Sequence, residues 1–376
     1  MVAVLALALA PAIACGAAEP PQVVPATSNS SSTAPAAINP PNLPTTAAAP
    51  DAIWPAPNPI VLPADDGPHQ ALTEWWYYNG HLRDPAGSQY GFELVVFKRQ
   101  ASGGRAGYVG HMAVTDHQTG KFQYRQELSL PPPEPLPGAG FDVKTASIRA
   151  KGGAGNDVLH GATADYQLSL NLRPAKPPVL HGRTGYIGVT ANELSYYYSR
   201  TRLDAQGTLV DHGEPASVQG SVWMDHQWGD FSLDGGGGWD WLGVQLDDGN
   251  DLMVSVLRNS SGDVVLTYGT LVGPQGQTEH LDRGAVQLRA TGRWVSPKTN
   301  ITYPMGWVVE APSAGLTLDL QPVILDQELD TRDTVGRAYW EGQVKASGQA
   351  NGKPVAGLGY VELTGYPTAQ SQAANR

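Results

Sequence analysis

From Ile60 to Tyr366 the chain alternates apolar and polar residues with a period of two. Tyr166-Gln167-Leu168-Ser169-Leu170-Asn171-Leu172 keeps the alternation over seven residues, and Leu316-Thr317-Leu318-Asp319-Leu320 and Val244-Gln245-Leu246 keep it over shorter runs. This pattern predicts strands with one wet and one dry face. Helical periodicity is weak, its best window being Ala191 to Tyr198. Asp247-Asp248-Gly249 carries a turn signal, and Ala350-Asn351-Gly352-Lys353 predicts a hairpin turn of the Asn-Gly kind. Strands punctuated by such turns over about 150 residues, twice, predict an all-β chain of two antiparallel barrels or sandwiches.

The pattern is also written twice. Glu74-Trp75-Trp76-Tyr77-Tyr78-Asn79-Gly80-His81-Leu82 leads through Asp84-Pro85-Ala86-Gly87 into an apolar run from Tyr90 to Arg99. Trp239-Asp240-Trp241-Leu242-Gly243 leads through Asp247-Asp248-Gly249 into Leu252 to Arg258. Aligning Trp76 with Trp239 puts Gly80 on Gly243, so the two hairpins are expected to superpose in that register. The units close alike, with Tyr196-Tyr197-Tyr198 before Val218 to His226, and Tyr339-Trp340 before Val355 to Glu362. The expected domains are residues 59–223 and 224–368, with Asp225 to Gly229 at the junction, a place where ligand sites are often built.

Composition narrows the partners. Lys plus Arg number 24 against 35 Asp plus Glu, a formal charge of -11, and the first basic residue is Arg83. Nucleic acid, which selects a basic face, is therefore not an expected partner. Residues 2–14 form an apolar stretch too short to span a bilayer, of the kind found in signal peptides. Cys15, the only cysteine, follows it directly, so no intramolecular disulfide exists. Ala12-Ile13-Ala14-Cys15-Gly16 resembles a bacterial lipobox, although Ala12 replaces the usual leucine and no basic residue precedes it. The expectation is a lipoprotein-type signal over residues 1–15 with Cys15 as the lipidated residue. The protein would then be extracytoplasmic and meet the membrane surface through that lipid; the alternative is ordinary secretion. Residues 16–58, rich in Ala, Pro, Ser and Thr, read as a disordered tether, and residues 369–376 as a disordered tail.

Glu74 to Leu82, Trp223-Met224-Asp225-His226-Gln227-Trp228-Gly229, Gly238 to Trp241, Tyr303-Pro304-Met305-Gly306-Trp307, Asp326-Gln327-Glu328-Leu329 and Tyr339-Trp340-Glu341-Gly342 occur in this order. Together they resemble the motif series of the carotenoid 1,2-hydratase (hydroxyneurosporene synthase) and AttH-like family, over essentially the whole folded region. The resemblance implies a tandem pair of lipocalin-like antiparallel β-barrels. For the characterised hydratases it implies cofactor-independent addition of water to the terminal double bond of an acyclic carotenoid. Relatives acting as isomerases or cyclases keep other chemistries open.

Hydrating such an alkene needs a proton delivered to carbon, a tertiary cation held briefly, and a directed water. A carboxyl in an apolar aromatic surround is protonated near neutral pH, aromatic faces attract a cation, and a His orients water and takes its proton. Asp240, between Trp239 and Trp241, is the leading acid, against the alternative of a structural acceptor. In a strand it faces a barrel interior only if both Trp face the other way. His226 and Asp225 are the candidates for handling water. Glu74 is either salt-bridged, with Arg99 or Arg258 as partner, or a further catalytic carboxylate. Trp75, Tyr78, His111, Trp228, Trp239 and Trp241 are the candidate substrate contacts, while Trp76 reads as a floor-packing residue. Asp225, His226 and Asp230 are too few for a metal site, so neither metal nor cofactor is expected. No Gly-x-Ser-x-Gly elbow supports serine-hydrolase chemistry. The rival function is a non-catalytic carrier of an apolar ligand.

Overall fold

The computed structural model describes residues 56–100, 106–130, 140–188, 194–231 and 237–368. The signal, Cys15 and nearly all of the tether lie outside the described residues, as do the tail from 369 onward and residues 191–193 of the helical window. Its remainder, from Leu194, is extended.

The first sheet comprises β1 (Thr73–Arg83), β2 (Gln89–Gln100), β3 (Ala106–Asp116), β4 (Lys121–Ser129), β5 (Phe141–Lys144), β6 (Arg149–Gly152), β7 (Val158–Ala162), β8 (Tyr166–Pro174), β9 (Val179–Leu180), β10 (Tyr186–Gly188), β11 (Leu194–Asp211) and β12 (Glu214–Gly229). The second comprises β13 (Gly238–Leu246), β14 (Asp251–Arg258), β15 (Val264–Val272), β16 (Thr278–Leu281), β17 (Gln287–Val295), β18 (Thr302–Ala311), β19 (Leu316–Pro322), β20 (Glu328–Thr331), β21 (Arg337–Ala350) and β22 (Lys353–Leu363). Every strand pairing is antiparallel, and each unit's first strand lies between its second and its last: β1 between β2 and β12, β13 between β14 and β22. The chain is thus a tandem pair of lipocalin-like antiparallel β-barrels.

Local chemistry accounts for the turns and the seam. Asn351 and Gly352 both take positive φ, 50° and 76°, which the tight turn between β21 and β22 requires. Side chains join the ends of the first sheet: Glu127 on β4 accepts from Thr145 Oγ1 at 2.7 Å and Ser147 Oγ at 2.6 Å, beyond the end of β5. The first sheet continues to Gly229 rather than ending at 223, because β12 stays paired with β1 and β11 through Thr73 and Ser195.

Alternation sends one face of each central strand inward and the other toward the second barrel. Trp76, Tyr78, Phe92, Leu94, Val222 and Met224 fill the first barrel. Leu242, Val244, Leu252, Val254, Trp340 and Val361 fill the second. Tyr77, Val95, Tyr197, Trp223, Trp241, Met253, Tyr268 and Tyr360 form a third apolar layer where the barrels meet. Both faces of β1, β2 and β13 are therefore largely covered, as are those of β12 from Val222 and of β22 from Gly359 onward.

This layer corrects the expected superposition. A side chain at Gly80 would meet Phe92 at 2.6 Å and Val222 at 2.8 Å, inside the first barrel, whereas one at Gly243 would meet Trp241 at 2.6 Å in the inter-barrel layer. Gly80 and Gly243 thus face opposite ways, and the Trp76-to-Trp239 register is shifted by an odd number of residues. A one-residue slip turns every side chain to the other face. By facing, Trp239 and Trp241 correspond to Trp75 and Tyr77.

Candidate active site

A cavity of about 470 Å³ opens between the barrels, a size that suits a small-molecule site. Trp75 and Tyr77 of β1, Val95 and Phe97 of β2, Tyr197 of β11 and Asp225 of β12 form one wall. Trp239 and Trp241 of β13, Leu257 of β14, Tyr268 of β15 and Glu362 of β22 form the other. Each of these wall residues lies on its strand's inter-barrel face.

Two carboxyls meet this aromatic space. Asp225 accepts from Tyr197 OH at 2.7 Å and Trp223 Nε1 at 2.6 Å, and also from Ser199 Oγ. Burial pushes its pKa up to about 6 against the pull of those donors. Glu362 accepts from Trp239 Nε1 at 2.7 Å. Burial carries it to about 7, with the Trp239 hydrogen bond opposing and the charge of Asp225 reinforcing the shift. Trp241 Nε1 donates to Tyr197 OH at 3.0 Å, which fixes the phenol that serves Asp225. Both carboxyls therefore exchange protons near neutral pH, the condition for general acid and base work. His181, Ser199 and Asp225 are also linked, His181 Nε2 standing 2.6 Å from Ser199 Oγ. Ser199 lies between the acid and the imidazole and is fully buried, so this chain orients Asp225 and offers no free nucleophile.

The structure brings together Asp225, Trp75, Trp239 and Trp241 of the expected site and places the others elsewhere. Asp240 is held by Arg258 Nη2 at 2.7 Å and Tyr366 OH at 2.9 Å, behind the two Trp that face the cavity. Burial raises its pKa, but unlike Asp225 it does not line the cavity. Arg258 is thus the partner of Asp240 and not of Glu74.

His226, adjacent to Asp225 on β12, points into the first barrel, stacked on Trp76 at 4.7 Å between ring centres. Its Nε2 lies 3.0 Å from Glu74, whose carboxylate also meets His69 Nδ1 at 2.8 Å and Lys98 Nζ at 3.0 Å. Lys98, not Arg99, is therefore the cation that neutralises Glu74. Burial alone would raise the Glu74 pKa, but the hydrogen bonds from His226 and His69 bring it down to about 2. Trp228 stacks on His69 at 3.9 Å in the same barrel. Tyr78 also points inward, donating to Asp157 at 3.0 Å. His111 sits in the inter-barrel layer but outside the cavity wall, with Tyr339 OH at 2.9 Å and Thr334 Oγ1 at 3.0 Å.

Among the described residues, the donor atoms of His69, Glu74 and His226 lie within 4.8 Å of one another, close enough to hold a metal ion. Here both imidazoles face the carboxylate and the Lys98 ammonium adds a positive charge, so the donors serve an internal charge-assisted network.

Glu362 was missed from the sequence, as were Tyr77, Tyr197 and Phe97. Glu362 carried one signal, a carboxylate interrupting the apolar strand Tyr360-Val361-Glu362-Leu363, which in a half-wet sheet reads as an ordinary solvent-facing residue.

The chain matches the AttH-like family over residues 54–366 and belongs to it. A crystal structure of an AttH protein from Nitrosomonas europaea is 30% identical and superposes with a TM-score of 0.74, covering 83% of this chain and 98% of that one. Kievitone hydratase from Nectria haematococca shares the fold at 17% identity and a TM-score of 0.69, covering 82% and 94% of the two chains. The dehydratase asqC of Emericella nidulans is 25% identical over 254 residues, 60% of this chain and 70% of that protein. A hydratase thus shares the fold, and a dehydratase is similar in sequence over 254 residues.

Proposed function

We propose that this protein is a hydro-lyase that adds water to, or removes it from, an apolar substrate held in the inter-barrel cavity. The observation that carries the reading is the pair of carboxyls, Asp225 and Glu362, each brought near neutral pKa by burial and each anchored by an indole N–H in an aromatic wall. Glu362 delivers the proton to carbon. Trp75, Trp239 and Trp241 line the space in which positive charge develops, and a ring face turned toward it attracts by roughly 0.5 to 2 kcal/mol. Asp225, set by Tyr197 and Ser199, directs the water and takes its proton. In the dehydration direction the roles reverse.

The finer proposal is hydration of the terminal double bond of an acyclic carotenoid, on the strength of the motif series from Glu74 to Gly342. A cavity of about 470 Å³ suits such an end group, while the rest of a long polyene would extend outside it. Incubation with lycopene or neurosporene, followed by mass spectrometry for the gain of one water, tests this substrate. Prenylated phenols and β-hydroxy ketones, the latter watched for loss of water, test the broader class. Tight binding with every ligand recovered unchanged would favour the carrier function instead.

A further inference from the structure

Behind Glu362 the inter-barrel layer holds more carboxyls than the reaction outlined above uses. Glu341 is the cross-strand partner of Glu362 in the β21–β22 ladder, so the two side chains leave the same face as direct neighbours, with Cβ atoms about 4.5 to 5.5 Å apart. Glu341 Oε1 accepts from Tyr77 OH at 2.8 Å, while Glu341 Oε2 is buried without a partner. Glu93, from β2, comes within 3.4 Å of Tyr339 OH through Oε1, and its Oε2 is likewise buried without a partner. Glu93 and Glu341 are each 1% exposed.

The surroundings offer little neutralising charge. Tyr77 of β1, Tyr339 of β21 and Tyr360 of β22 stay neutral, burial holding each phenol well above its ordinary range. Asp225 of β12 and Asp240 of β13 add negative charge, and Arg337 is the cation that acts on Glu362. An ionised carboxylate with an unpartnered oxygen is costly in such a place. A protonated carboxyl is itself a donor and can satisfy a neighbouring carboxylate.

We infer that Glu341 and Glu362 act as one proton-sharing pair at the cavity wall, with Glu93 as a third carboxyl that prevents the pair from losing both protons. The inference rests on the proposed hydro-lyase reading for its use, not for its test. In hydration the doubly protonated pair gives one proton from Glu362 to the substrate carbon, forming the C–H bond. The remaining proton is shared between the two carboxyls, so the charge left behind is spread over both. Water then bonds to the adjacent carbon, and the proton it sheds passes through Asp225 back to the pair. Glu341 touches no substrate and is a positioning residue that sets the readiness of Glu362 to donate. Two carboxyls held as close neighbours titrate as a unit, so their midpoints belong to the pair.

Carbon-13 labelling of glutamate side-chain carboxyls, with NMR shifts followed against pH, tests this without any substrate. Glu341→Gln, Glu362→Gln and Glu93→Gln assign the resonances. The expected result is that Glu341 keeps its proton beyond neutral pH and that its midpoint falls by about one unit or more in Glu362→Gln, because a like charge has been removed. Glu93→Gln should lower it as well, and it serves alone if Glu362→Gln does not fold. Titration of Glu341 in the ordinary range of about 4 to 5 would overturn the inference. So would a midpoint that is the same with Glu or Gln at position 362. Failure to find a hydrated product would leave this titration standing, and failure of the titration would leave the search for a product open.

Discussion

Glu362→Gln removes one ionisable proton from the cavity and keeps the shape of the side chain and an oxygen for Trp239 to bond. In the folded protein the Glu362 pKa stands at about 7 against an ordinary 4.5. The folded state therefore holds this proton more tightly than the unfolded chain does. Stability from this group is fully present below the unfolded pKa and is lost as pH rises from about 4.5 through 7. At 1.36 kcal/mol per unit, the shift amounts to about 3 kcal/mol above neutral pH, an upper figure because the cavity gives water some access. The glutamine variant lacks this slope. Urea denaturation followed by tryptophan fluorescence should find the two proteins equally stable near about pH 4 and the variant more stable by roughly 2 to 3 kcal/mol near about pH 8. An equal difference at both pH values would refute the reasoning. A variant that is less stable at high pH would refute it too, since it would mean that Glu362 is ionised and paired with Arg337 in the folded state. The expected gain in stability at the expense of chemistry is the signature of a carboxyl kept for function.

Asp225→Asn should lower turnover by about 100- to 10,000-fold with substrate binding little changed, while Asp240→Asn should keep turnover within a few-fold and lower stability by about 1 to 3 kcal/mol through the loss of charge opposite part-buried Arg258; kinetics and denaturation of both variants separate the two carboxyls. Glu74, whose folded pKa is lowered from 4.5 to about 2, contributes stability that is present above pH 4.5 and lost as pH falls through 2. Glu74→Gln should therefore cost about 3 kcal/mol at neutral pH and little near about pH 2, read from denaturation curves at the two pH values. Cys15→Ser should release the protein from the membrane fraction without altering its circular dichroism, and unchanged membrane association would show that Cys15 is not the anchor.

How much of this was legible in the sequence depended on whether a strand has one covered face or two. The run Tyr166 to Leu172 alternates cleanly because β8 has solvent on one side, and its structure follows the pattern residue by residue. Asn351-Gly352 was legible because the backbone of that turn demands positive φ at both positions. In β1, in β13 and in β12 from Val222 onward both faces are largely covered, so polarity no longer says which residue looks into a barrel and which into the cavity. Trp75 and Trp76, or Asp225 and His226, differ only in parity, and parity has no origin until a neighbouring barrel supplies one. The same ambiguity drew the catalytic role to Asp240, although its two flanking Trp, once known to face the cavity, send it the other way. Glu362 could not be recognised because its importance comes from Trp239 and Glu341, brought beside it by strand pairing across long stretches of sequence.

The central claim is that the inter-barrel cavity moves water onto or off an apolar substrate with Asp225 and Glu362 as the proton carriers. Its most direct test is incubation of the full-length protein with lycopene, neurosporene and the wider panel in water enriched in heavy oxygen, beside the Asp225→Asn, Glu362→Gln double variant. The account predicts a product that has gained one labelled water, or lost one water, in the wild type, and none above background in a folded double variant that still binds the ligand. A product formed equally by both proteins, or a ligand bound tightly and recovered unlabelled from the wild type, would contradict it.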